Sequence, residues 1–170
     1  MKFDLTLTTI LVFLVPGTLV FFGMPADLGR ELQSLRTFQK LPTATEMIGA
    51  FAISFFIGAL VDSLRVISVQ PIVVRILKLL KHQSPSWAYF KHVTPVRLSV
   101  FEVVVEKSFE YYRLNANLCL AFLLTALMHV IAWKLDLRFL FFLGGFAIWL
   151  VIAVLSKRDT DKILTAFIKK

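Results

Sequence analysis

Four apolar runs, each able to carry a helix across most or all of a bilayer, leave this chain of 170 residues little choice of solvent. Stretches that can span roughly 30 Å of hydrocarbon at about 1.5 Å per helical residue fall at 5–23, 46–62, 114–133 and 137–156. The second is the shortest, its apolar part running only from Met47 to Val61, with the carboxylates of Glu46 and Asp62 placed near the two interfaces. A chain that is 58% hydrophobic with mean hydropathy +0.77 cannot bury all four runs in one small domain and still have enough polar sequence for a wet surface. The expected fold class is an all-α integral membrane protein: four transmembrane helices, a cytoplasmic amphipathic helix, and a long third helix extending into the cytoplasm.

The first run lacks the ordered charged, apolar and small-residue cleavage regions of a signal peptide, so it is expected to remain as a span. A single cysteine, Cys119, lies inside an apolar run, which excludes an intrachain disulfide and a cysteine metal cluster.

Orientation follows from Lys and Arg, which are costly to translocate in short loops. With four spans, fourteen of the nineteen basic residues share a side with both termini and the 63–113 segment, against five in the other two loops. The expectation is a multi-pass protein of a bacterial inner membrane, a single membrane domain over 1–170, with cytoplasmic termini and a cytoplasmic helical segment at 63–113. The net charge of +8 is then explained by topology and by contact with anionic lipids, and no direct nucleic-acid binding is expected.

Local patterns refine this plan. Pro16-Gly17 interrupts the first span by removing a backbone donor, so a kink or a broken helix is expected, with neighbouring helices covering the freed carbonyl. Thr43 and Glu46 fit a capping box at the start of the second span. Ala50, Ser54 and Gly58 recur every four residues between Glu46 and Asp62, a narrow small-residue face for close helix packing, within the chain or against another copy. Beyond Asp62, a helix from Leu64 to His82 carries a basic side with Arg75, Lys78, Lys81 and His82, opposite Val73, Ile76, Leu77 and Leu80. It reads as an amphipathic helix lying among lipid headgroups. The long third helix starts at Thr94-Pro95 or at the Ser99 to Glu102 capping pattern, and Gly144-Gly145 marks a close approach on the fourth span.

Glu102, Glu106, Glu110, Arg113, Asn117, Thr125 and His129 recur on one face of the long helix. Glu110 and Arg113 are spaced to pair, and the members inside the span should face protein or water, since polar groups facing lipid are expensive. They serve either packing and partner docking or a water-filled path. His82, His92 and His129 lack companions at ligand spacing, and no nucleophile, base and orienting group line up, so no catalytic residue, metal or cofactor is expected.

The reading that follows is a non-catalytic membrane scaffold or sensor that self-associates through its small-residue faces and recruits a soluble cytoplasmic partner. A homo-oligomeric pore is the alternative, and a membrane-bound lipid-modifying enzyme a second one. In overall plan, with four spans in 170 residues, Pro16-Gly17 in the first and a basic Arg65 to Arg113 stretch, the chain resembles small bacterial phage-defence membrane subunits such as that of the Kiwa system. That likeness, architectural and extending over the whole chain, implies a membrane sensor or effector paired with a soluble protein in antiviral defence.

Overall fold

The computed structural model describes residues 7–28, 43–82 and 95–168, with side chains described for 10–28, 43–82 and 107–166. Every regular element among them is helical: α1 (Leu7–Gly23), a short 3-10 turn (Ala26–Leu28), α2 (Ala44–Ile67), α3 (Val69–Leu79), α4 (Pro95–Ile131) and α5 (Leu137–Ile168). Three helices are long and apolar enough to cross a membrane, at 44–67, 107–131 and 137–166. The 17 residues of α1 span about 25 Å and fall short of that length.

Several boundaries differ from the sequence reading. α1 runs through Pro16 without a break, so the broken-helix expectation is corrected; the lost hydrogen bond is replaced from outside the helix, as described below. α2 starts at the capping box, where Thr43 Oγ1 accepts from the Glu46 N–H and the Glu46 carboxylate accepts from the Thr43 N–H. It continues past Asp62 to Ile67 and passes almost directly into α3 at Ser68, whose hydroxyl donates to the Leu64 carbonyl. Of the two starts offered for the long helix, Pro95 is used, its missing N–H costing nothing in a first turn. α5 continues as one helix past the expected span end at 156 to Ile168. At 37 and 32 residues, α4 and α5 are about 55 and 48 Å long, well beyond the thickness of the hydrocarbon layer. The Gln83 to Thr94 connection lies outside the described residues.

α1 packs on α2 and α4, and α4 packs along α5, so the helices stand in the order α2, α1, α4, α5. α4 is the central one: 61% of its apolar window is buried in the protein, against 22% for α2 and 17% for α5. The outer faces of α2 and α5 present Phe51, Phe56, Leu140, Phe141 and Ile148 to their surroundings. In water this would be untenable; in lipid it costs nothing.

The small-residue face of α2 has its partner inside the chain. A Cβ placed on Gly58 would lie 1.8 Å from the Phe13 carbonyl oxygen, and one on Gly17 would lie 1.7 Å from that of Ser54. Ala50 and Ser54 are buried on the same face. Self-association through Ala50, Ser54 and Gly58 is therefore corrected: α1 already occupies the surface. The Gly144-Gly145 pair divides in the same way. Gly145 approaches the Phe122 ring, whereas Gly144 faces open space.

α3 also departs from expectation. Val69, Val73 and Leu77 are buried in one core with Tyr112, Ala116 and Ala153, so this part of its apolar stripe is covered by α4 and α5, while Leu80, expected on the same stripe, is 63% exposed. Arg75, Lys78 and Lys81 remain exposed beside Ile72 and Leu79, which leaves a narrower basic and apolar edge outward.

Candidate functional site

The polar residues meet near the middle of α1, and the cause is Pro16. A helical proline has no N–H to donate to the carbonyl four residues earlier, so it leaves the Val12 oxygen without its usual bond. Asn117, fully buried on α4, supplies the donor: its Nδ2 lies 3.1 Å from the Val12 oxygen. The same amide nitrogen lies 3.1 Å from Asp62 Oδ1, which ties α1, α2 and α4 together at one point.

Asp62 is the hub. Arg113 grips its carboxylate with both Nε and a terminal nitrogen, the Nε contact being 2.8 Å, a fork geometry that lysine could not supply. Arg65, one turn along α2, donates to Asp62 Oδ1 at 3.2 Å and reaches Gln70 Oε1 on α3 at 3.4 Å. The Arg113 guanidinium also lies over the Phe13 ring, 5.0 Å from its centroid. Two arginines and one aspartate, with side-chain exposures of 5% for Arg65, 14% for Asp62 and 27% for Arg113, form a partly buried cluster that is net cationic.

The remaining predicted residues separate. The Thr125 hydroxyl donates to the Ala121 carbonyl, and His129 Nδ1 lies 3.0 Å from the Thr125 carbonyl, so these two satisfy themselves on their own helix. Arg113, expected to pair with Glu110, has that carboxylate in electrostatic reach and makes its hydrogen bonds to Asp62 on another helix. The side chains of Glu102 and Glu106 lie outside those described. Arg75, Lys78 and Lys81 sit apart on the outer edge of α3, and Ala50, Ser54 and Gly58 on the α1–α2 seam.

A second polar group joins α4, α5 and α3. Asn115 Nδ2 donates to Ser156 Oγ at 2.7 Å, and the Thr160 hydroxyl lies within hydrogen-bond reach of the Ser108 and Ser156 carbonyls. Nearby, buried Asp161 accepts from Lys157 Nζ at 2.7 Å, with His82 Nε2 at 3.5 Å. Compared with known protein families, curated proteins and solved structures, the chain matches none. The clusters themselves therefore carry the functional argument.

Sequence reasoning missed Arg65, Asn115, Thr160 and Asp161 as members of these clusters, and did not join Asp62 to Arg113. A signal was present for one contact. Pro16 specifies that position 12 needs an outside donor, and Asn117 carries one of only two amide side chains in the third apolar run.

The proline explanation gives a testable coupling. Asn117→Leu removes the bonds to both the Val12 oxygen and Asp62 and should destabilise the protein by about 2 kcal/mol, roughly 1 for each. In a Pro16→Ala background, the restored backbone N–H can serve the Val12 carbonyl and the loss should shrink by about 0.5–1 kcal/mol. Chemical unfolding in detergent of the two single variants and the double reads this directly, and equal losses in both backgrounds would refute the assignment.

Proposed function

We propose that the chain is a non-catalytic membrane scaffold or sensor that crosses a bacterial inner membrane four times and docks a soluble protein on its cytoplasmic side. The observation that carries this reading is the use of the polar groups of α4. Arg113, Asn117, Thr125 and His129 each bond within the chain, which favours packing over an ion path, where such groups would face water. α1 enters as the fourth span because it packs between α2 and α4, with Gly17 against Ser54 and Gly58.

In this topology the cytoplasmic side holds the extensions of α4 and α5, with α3 braced against them. It also holds the basic edge of Arg75, Lys78 and Lys81, suited to anionic lipid or an acidic partner surface. Self-association belongs to the proposal as well and, with the small-residue face taken by α1, runs through outer faces such as those of α2 and α5. Antiviral defence is the biological setting implied by the architectural resemblance.

One set of experiments tests the proposal. In a Cys119→Ala background, Leu28→Cys should react with an impermeant reagent from outside cells lacking an outer-membrane barrier, while Lys2→Cys and Lys78→Cys should not. Labelling at Lys2→Cys would remove α1 as a span. Co-purification of a soluble protein with the native chain, lost on Glu102→Lys with Glu106→Lys while the membrane protein stays folded, supports docking through the α4 extension. Ion flux through liposomes containing the purified chain, blocked by Asn117→Leu, would replace the scaffold with a pore.

A further inference from the structure

At the end of the bundle away from Asp62, the C-terminal ends of α1 and α4 and the start of α5 enclose a recess of about 950 Å³, within the range of roughly 300–1,000 Å³ typical of sites for whole small ligands. Phe22, Met24, Leu140 and Phe141 form most of its wall, and His129 and Arg138 are its polar members. We propose that it seats one anionic phospholipid, with an acyl chain in the apolar part and the phosphate on Arg138.

Two observations select this occupant. The walls are continuous with the outward faces of the helices: Leu137 is 80% exposed, Phe141 64% and Leu140 59%. The recess thus opens onto the hydrocarbon that bathes those faces, and an acyl chain enters from the medium already present. The charged groups at the rim are also engaged differently. Asp136 caps α5, its Oδ1 accepting from the N–H groups of Arg138 and Phe139, and Asp27 is bonded to Lys134. Among the described residues Arg138 has no anionic partner, and its guanidinium fork, at the edge of an apolar cavity, has the geometry to take two phosphate oxygens.

His129 refines the headgroup. It is 3% exposed and lines the recess. A carbonyl can only accept, so Nδ1 carries the hydrogen toward Thr125, and Nε2 is the ring atom left for a ligand. A glycerol headgroup hydroxyl, which both donates and accepts, can hydrogen-bond to it; a choline headgroup, a quaternary ammonium, cannot.

The inference rests on the chain being embedded in a bilayer and not on the scaffold reading. The test uses the full chain in an uncharged detergent, titrated with dioleoylphosphatidylglycerol or dioleoylphosphatidylcholine, with retained lipid counted by native mass spectrometry. One phosphatidylglycerol per chain should be retained at least about tenfold better than phosphatidylcholine, the factor that about 1.4 kcal/mol supplies. Arg138→Gln should remove that preference, Arg138→Lys should keep part of it, and Ala26→Trp, which places a ring in the recess, should reduce retention of both lipids. Lys162→Gln, at the other end of α5, should retain lipid as the native chain does. Equal retention of the two lipids, an unchanged preference in Arg138→Gln, or displacement of the lipid by millimolar inorganic phosphate would each overturn the proposal. Partner co-purification is a separate readout, so loss of lipid with docking intact distinguishes the two readings.

Discussion

Gly58→Leu will part α1 from α2, and even Gly58→Ala will be strongly destabilising. The atoms that a new Cβ would meet at position 58 are backbone: the Phe13 oxygen at 1.8 Å and its carbon at 2.5 Å. A rotamer change cannot relieve such a clash, so the whole helix must move, which also loosens the reciprocal approach at Gly17. Overpacking in a well-filled core ordinarily costs about 1–3 kcal/mol, and a backbone clash belongs at or above the top of that range, about 3 kcal/mol or more for leucine. Gly144→Ala supplies the contrast. A Cβ there meets nothing, so alanine should stabilise the helix by about 0.5–1 kcal/mol through lower backbone entropy in the unfolded chain. Thermal unfolding in one detergent ranks the variants. A Gly58→Ala protein as stable as the native one would show that the α1–α2 seam is not this close.

The second large effect lies at Asp62. Removing the carboxylate with Asp62→Leu leaves Arg65 and Arg113 facing each other, with Asn117 short of an acceptor. Breaking a buried pair from one side costs about 3–5 kcal/mol, and the partial exposure of Arg113 places this case near 3 kcal/mol. Arg113→Met alone is milder, because Arg65 remains beside the carboxylate. The double variant should be more stable than the sum of the two losses predicts, by at least about 1 kcal/mol, since the second change removes a charge that the first had stranded. Unfolding of both singles and the double measures that coupling, and strict additivity would mean that the two side chains do not depend on each other.

How far the sequence discloses this arrangement depends on the range of each contact. The apolar runs, the capping box at Thr43 and Glu46, and the small-residue spacing of Ala50, Ser54 and Gly58 are local patterns and visible at once. What lies across a helix is not local. Ile57 reads as lipid-facing from its place beside Gly58, yet it packs against the core, while Phe56 and Leu60 point outward. The helical wheel gives relative directions, but the position of α4 relative to α1 and α2 decides which of them is inward. Arg113 shows the same limit: Glu110 is the near neighbour in sequence, and Asp62, 51 residues away, is the hydrogen-bond partner in space. Amphipathicity in α3 was legible as a pattern, but what covered the apolar stripe was not, since lipid and protein are equally apolar.

The junction at Pro16 also sets a timetable. Val12 and its donor Asn117 are 105 residues apart, which at ordinary rates of translation means that α1 waits about 5–20 s before the chain that completes its hydrogen bonding has been made. Through that interval α1 and α2 can already pair through Gly17 and Gly58, while Asp62 has only Arg65 at hand and the Val12 oxygen has no amide. A ribosome that stalls before α4 therefore leaves a hairpin that looks finished along its seam but still carries a bare carbonyl and an exposed acidic group. Those are marks by which a membrane quality-control protease or chaperone could tell an incomplete chain from a whole one.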